Sequence, residues 1–239
     1  MNIILLKQHR ADAKGRLIID EPRQIQHITA VLQAQVGDTL KLGVSGGLLG
    51  VGKIASMDDE QVLLDEVRLD KAPPDKLPVT IMLALPRPKV LRRLMMDMTA
   101  IGVAHIILIN SYRTDKSYWG SPMLARIDEF ITEGLEQGVD TIPPKITLVK
   151  RFKPFVQDEL PALIQAGRAV VFHPYDSEDF GGFCLRQGMP TLIAIGAEGG
   201  FVPYEIELLR SVGVSAVGLG SRILRTESAV NAVLGRYLL

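Results

Sequence analysis

From residue 79 onward the chain repeats one texture: a short, unbroken apolar run, then in most cases a helical stretch, then another apolar run. The runs are "VTIMLAL", "AHIILI", "KITLV", "RAVVFH", "TLIAI" and "SAVGL". A strand that is apolar on both sides must be covered on both sides. Helices between strands achieve that around a parallel sheet. The helical stretches carry their own signals. "PKVLRRLMMDMTAIG" opens on Pro88 and stops at Gly102. Within it Val90, Leu91, Leu94, Met95 and Met98 share one face, and Lys89, Arg92 and Arg93 another. "SPMLARIDEFITEGLEQG" reads as one helix with Ser121 as N-cap and Pro122 at its first position. The class is α/β.

The first 72 residues have a different texture. "DTLKLGV", "LLGVGKIASM" and "QVLLDEV" are short strand-like runs separated by glycine or Asp-Asp turns. "QIQHITAVLQA" is apolar at Ile25, Ile28, Val31 and Leu32, which is helical spacing. The expectation is a small β-barrel around one helix. "DKAPPDKLP", residues 70–78, places three prolines among charges and marks a boundary. Two domains follow, residues 1–72 and 73–239.

In open parallel sheets, ligands bind beyond the carboxyl ends of the strands. Two glycine-bearing loops stand there, "GAEGG" after "TLIAI" and "GSRILRTES" after "SAVGL", and each leads into a helix. Gly196, Gly199 and Gly200 serve either a tight turn needing positive φ or the close approach of backbone to a ligand. Glu198 and Glu227 are either solvated turn residues near helix starts or groups that touch a substrate. Arg222 and Arg225 are either surface ion pairs or contacts to an anionic ligand.

Several chemistries find no support. The glycine spacing is neither G-x-G-x-x-G nor a P-loop. His9, His27, His105 and His173 are too scattered for a metal motif, so no metal is expected. The lone cysteine, Cys184, excludes an intrachain disulfide and reads as a small, half-buried side chain. There is no membrane-length apolar run and no signal-peptide pattern, which suits the cytoplasm. Lys plus Arg equals Asp plus Glu at 27 each, so the whole molecule is not a general polyanion binder. Local basic clusters exist all the same: Arg87, Lys89, Arg92 and Arg93 in "PRPKVLRR", and Lys7, Arg10, Lys14 and Arg16 near the start. Either could follow a nucleic-acid backbone.

The stretch "LIAIGAEGGFVPYEIELLRSVGVSAVGLGSRILRTESAVNAVL" closely resembles the C-terminal signature of the bacterial 16S ribosomal RNA uracil-N3 methyltransferases, members of the SPOUT superfamily. That signature runs I-G-P-E-G-G-F, then E-[IL], then L-G-x-R-I-L-R-T-E-T-A. Ala197 and Ser228 replace its proline and second threonine, and Ser221 stands where proline is usual. "HITAVLQAQVGDTLKL" resembles the family's PUA-like N-terminal barrel, and "IGVAHIILINSYRT" its usual L-G-V-x-x-I-x-P-x-x-S-x-R stretch. Ala30, Gln33, Asp97, Thr99, Ala100 and Asp140 depart from the pattern in the RNA-facing half.

The resemblance implies a SPOUT α/β domain with a deep trefoil knot, a PUA-like RNA-binding domain before it, and a homodimer. It implies S-adenosylmethionine as cofactor, held by Ile195, Gly196, Gly199, Gly200, Leu219, Gly220, Ile223 and Leu224. It implies methylation of N3 of a uridine in 16S ribosomal RNA of the small subunit. That nitrogen is protonated at neutral pH, so a base must remove the proton and a cation must stabilise the enolate. Arg225 is the expected cation, and Glu198 or Glu227 the expected base. Arg10, Arg87, Lys89, Arg92, Arg93 and Arg222 are the expected RNA contacts. The last helix, "AVNAVLGRYLL", looks apolar on more than one side, which suits a second subunit. Two alternatives stand beside this reading: a SPOUT methyltransferase with another RNA target, and a non-catalytic RNA-binding or assembly module on the same fold.

Overall fold

The computed structural model describes residues 2–164, 168–175 and 178–238. It divides into two compact units, Met1–Asp75 with Thr132–Pro143, and Lys76–Ile131 with Pro144–Leu239.

The first unit holds strands β1 (Ile4–Leu6), β2 (Leu17–Ile19), β3 (Thr39–Val44), β4 (Leu49–Met57) and β5 (Val62–Lys71). They form one mixed sheet in the order β1-β3-β4-β5-β2, with β1 parallel to β3 and the other pairs antiparallel. Leu17, Ile28, Leu42, Val62 and Leu64 are sealed from solvent at its centre. The expected helical face over Ile25, Ile28, Val31 and Leu32 is only half right. A short helix, Pro22–Gln26, passes into a π-helical turn, His27–Val31, and Leu32 donates its N–H to the His27 carbonyl five residues back. The wider turn puts Val31 and Leu32 out of phase with Ile25 and Ile28, and both are exposed.

Residues 132–143 join this unit through buried polar groups. Glu136 has no solvent exposure and accepts two hydrogen bonds from Arg23, at 2.9 and 2.7 Å. Asp140 is also buried. Its Oδ1 accepts from the Thr141 and Ile142 amides at 2.6 and 2.9 Å.

The second unit is built on β6 (Leu77–Ala84), β7 (Val103–Ile109), β8 (Lys145–Val149), β9 (Ala169–Phe172), β10 (Leu192–Ile195) and β11 (Ser215–Val217). Every pairing is parallel, in the order β11-β9-β10-β6-β7-β8. This is the parallel α/β sheet the apolar runs call for. All four residues of β10 are buried, because β10 lies between β6 and β9 and is covered on both faces. The order reverses around it: β6 leads to β7 and β8 on one side, while β9 and β11 lie on the other. Such a reversal opens a crevice at the carboxyl ends of the strands.

The helix Pro88–Ile101 matches its sequence signals in detail. Val90, Leu91, Leu94, Met95 and Met98 are buried, and Gly102 ends the helix at φ +96°. Two helices differ from expectation. The segment after Ser121 is not one helix. Arg126 leaves helical geometry at φ −101°, ψ 14°, and separates Pro122–Ala125 from Ile127–Gly138. The final helix, Thr226–Leu234, is apolar on one face only. Ala229, Val230, Val233 and Leu234 are buried within this chain, partly against Pro88–Ile101, while Ser228, Asn231 and Ala232 face outward. No described helix is long and apolar enough to cross a membrane.

Candidate active site

Five strand ends of the second unit meet around one cavity of about 600 Å³, within the ordinary range for small-molecule sites. From the last residue of β10 comes Ile195–Phe201. Beyond β11 comes the segment from Leu219 to Glu227. Phe172 ends β9 and His173, Pro174 and Tyr175 follow it, while Arg87 follows β6 and Arg113 follows β7. All eight residues expected to hold a cofactor border this cavity, as do Arg225, Glu198, Glu227, Arg87 and Arg222. Lys89, Arg92 and Arg93 do not. They stand on the exposed face of the helix Pro88–Ile101. Arg10 belongs to the first unit, where it donates to Asp20 at 2.5 Å.

The glycines have separable reasons. A Cβ on Gly196 would lie 2.7 Å from the Gly200 Cα, so this glycine lets the loop close on itself. A Cβ on Gly199 would lie 2.8 Å from the Arg113 side chain. Only Gly200 (φ +67°) and Gly220 (φ +81°) need the left-handed conformation, and a Cβ at either would meet no protein atom within 4 Å. The expectation of positive φ thus holds for one of the three glycines in "GAEGG". The walls are mixed. Ile195, Ala197 and Phe201 are buried, whereas Ile223 and Leu224 are 73% and 39% exposed. One side of the slot is part of the core and the other is open.

Arginine and carboxylate are paired around the loop. Oε1 of Glu198 accepts from the Arg87 backbone amide at 3.2 Å and from its Nε at 2.9 Å. That bond and the carboxylate's charge raise the guanidinium's pKa further above its ordinary value. Arg113, from the loop after β7, donates to the Gly199 carbonyl. Glu227 is more loosely matched, with Arg93 at 4.0 Å. Thr226 is buried and its hydroxyl donates to the Gly196 carbonyl at 3.4 Å, which ties the two glycine loops together.

Arg113, Phe172, His173, Tyr175 and Thr226 border the cavity without having been singled out from sequence. The strand-end rule points to the residues after "RAVVFH", but nothing in the sequence says that β9 lies beside both β10 and β11. Cys184 lies outside the cavity, half-buried, and burial pushes its thiol pKa up, which suits an inert side chain. Among the described residues no group of His, Cys, Asp and Glu is arranged to hold a metal ion.

A family model described as an RNA methyltransferase domain matches residues 73–237. The chain is 27% identical to the ribosomal RNA small subunit methyltransferase E of Treponema pallidum, across 97% of this chain and 88% of that one. It is 28% identical to the protein of that name from Synechocystis, across 89% of this chain and 70% of that one. The crystal structure of a ribosomal RNA small subunit methyltransferase E from Neisseria gonorrhoeae bound to S-adenosyl methionine superposes with a TM-score of 0.75. The match covers 99% of this chain and 96% of that one at 18% identity, a likeness of fold.

Proposed function

We infer function from this premise: the chain belongs to the RNA methyltransferase family whose model spans residues 73–237. It methylates N3 of a specific uridine in 16S ribosomal RNA of the small subunit, with S-adenosylmethionine as donor. The observation that carries this reading is the convergence of both glycine loops, Arg225 and Glu227 on one cavity.

The residues fit the donor. The cavity is of suitable size, it joins buried apolar side chains to exposed loop backbone, and Gly200 and Gly220 leave room that a Cβ would fill. Ile195, Gly196, Gly199, Gly200, Leu219, Gly220, Ile223 and Leu224 would hold it, in loops that the resemblance places in a trefoil knot. When bound, S-adenosylmethionine supplies an electrophilic methyl group.

The chain's own residues deal with the nucleobase. Removal of the N3 proton leaves negative charge on the uracil oxygens, and Arg225 stabilises that charge electrostatically. Of the two carboxylates, Glu227 suits proton acceptance better. Glu198 is engaged through Oε1 by Arg87, whereas Glu227, among the described residues, is matched loosely by Arg93 at 4.0 Å. Glu198 then fixes the glycine loop, and Arg222 contacts the RNA.

Calorimetry with S-adenosylmethionine, and methyl transfer to small subunits from a strain lacking this gene, test the reading together. Binding of the donor and mapping of the methyl group to uracil N3 are expected. Arg225→Ala should slow transfer by about 100-fold or more, with a smaller loss of RNA affinity. No donor binding would leave the non-catalytic module. Methylation of a different RNA would select the second reading, which Asp140 favours: near the place where the resemblance implies an arginine, this chain has a buried carboxylate capping its own backbone. The reading includes a cytoplasmic, two-fold dimer, with the small outward residues Ser228, Asn231 and Ala232 of the last helix as its contact; sedimentation as a monomer at micromolar concentration would exclude it.

A further inference from the structure

Two exposed tyrosines stand close to one buried carboxylate, Tyr112 in the loop after β7 and Tyr204 in the first turn of the helix Pro203–Ser211. Tyr112 is 82% exposed and Tyr204 55%. Exposed apolar residues scattered singly need no explanation, but these two are joined by a built support. Glu205 is only 3% exposed. Its Oε1 accepts from the Tyr112 amide at 2.8 Å, and its Oε2 accepts from the Val202 amide at 2.9 Å. One buried carboxylate thus fixes the backbone of both tyrosine-bearing segments, while the rings project to solvent.

The surroundings indicate what such rings would meet. Arg113, next in sequence to Tyr112, reaches the Gly199 carbonyl, and both residues border the cavity. Tyr112 and Tyr204 do not line the cavity themselves, but stand one and three residues from Arg113 and Phe201, which do. Four arginines border that cavity (Arg87, Arg113, Arg222 and Arg225) against the carboxylates of Glu198 and Glu227, so its field favours an anion. Flat aromatic faces beside cationic side chains match the chemistry of unpaired nucleotides, whose bases stack while their phosphates seek positive charge. Paired bases offer no free face, and a base must leave its stack before its N3 can be reached.

We propose that Tyr112 and Tyr204 form a stacking platform for unpaired RNA bases flanking the target uridine, held in place by Glu205. This rests on the methyltransferase reading and adds that the substrate must be single-stranded at the site. The platform positions RNA and does not touch the reacting atoms.

The test uses the full chain with Tyr112→Ala, Tyr204→Ala, the double variant, and the two Phe variants that keep a ring. Anisotropy with a labelled uridine-containing oligoribonucleotide, single-stranded or annealed to its complement, reads RNA affinity. Kinetics on small subunits separate KM from kcat, and donor calorimetry checks the cavity. The expected result is preference for the single strand, and a rise in Kd and KM of about ten- to a hundredfold in the double Ala variant. kcat and donor affinity should change less than about twofold, and the Phe variants should stay near wild type. Double-Ala Kd and KM within twofold of wild type, or equal binding of the duplex, would overturn the platform and leave the methyltransferase reading intact. A wild-type chain that binds donor but neither binds nor methylates RNA would overturn both.

Discussion

Gly196 and Gly220 are glycines for different physical reasons, and substitution should separate them. Alanine at Gly196 brings a Cβ to 2.7 Å from the Gly200 Cα, so the loop must move as backbone. Overpacking of that kind costs about 1–3 kcal/mol, and a displaced loop no longer presents its amides to the cavity. Alanine at Gly220 meets nothing but must adopt φ +81°, a strain of about 1–2 kcal/mol. Thermal unfolding and donor calorimetry should show Gly196→Ala losing donor affinity in step with stability, and Gly220→Ala less stable by the conformational term. Wild-type stability and affinity for Gly196→Ala would mean the loop relaxes freely. In the first unit, Glu136 supplies a pH test. Burial raises its carboxyl pKa, and the Arg23 hydrogen bonds oppose the shift. With the folded pKa above the unfolded one, the folded state binds the proton more tightly. This group's contribution to stability therefore falls as pH rises from the ordinary carboxylate range through the raised value. Arg23→Ala removes the opposing cause and leaves the charge buried, a loss of about 3 kcal/mol, the low end for a broken buried pair because the Arg23 side chain is 43% exposed. The loss in Tm should be clearly larger at pH 8 than at pH 4; an equal loss would assign Arg23 a packing role alone.

Elements differ in how much of them the sequence discloses. The helix Pro88–Ile101 was legible throughout, because a 3.6-residue apolar period, a starting proline and a terminal glycine agree. The parallel sheet was legible because strands buried on both faces leave no alternation to confuse. The π-helical turn at His27–Val31 was not: one extra residue per turn shifts the phase, and no residue type announces it. The break at Arg126 lies inside an unbroken helical pattern. The last helix looked two-sided because Ala232 counts as apolar in sequence, yet one methyl facing outward exposes little. Both glycine loops were legible, since glycine density at a strand end is a local signal. Arg113, His173 and Tyr175 reach the cavity only through the order of the strands, which is non-local and has no signature in their own segments. Arg87 and Glu198 were each visible, but their pairing across 111 residues was not.

For the whole molecule the governing quantity is charge. With 27 cationic and 27 anionic residues, RNA affinity must come from local basic clusters. The proposed contacts are Arg10 in the first unit and Arg87, Lys89, Arg92, Arg93 and Arg222 in the second. If all six displaced counterions on meeting phosphates, log K against log salt would slope at about −4 to −5. At least three of them already have carboxylate partners: Arg10 with Asp20, Arg87 with Glu198 and Arg93 with Glu227. A guanidinium that exchanges a carboxylate for a phosphate frees the carboxylate to gather cations again, which offsets the counterion released from the RNA. The expected slope is therefore shallower than about −4. Replacing Asp20 by Asn removes one partner and should steepen it by about one unit while tightening binding at low salt. Binding titrations of ribosomal RNA between low and physiological salt measure both quantities. A slope near −5 in the wild-type chain would mean that the ion pairs open freely in solution, and that the neutral total charge hides a basic surface already available to RNA.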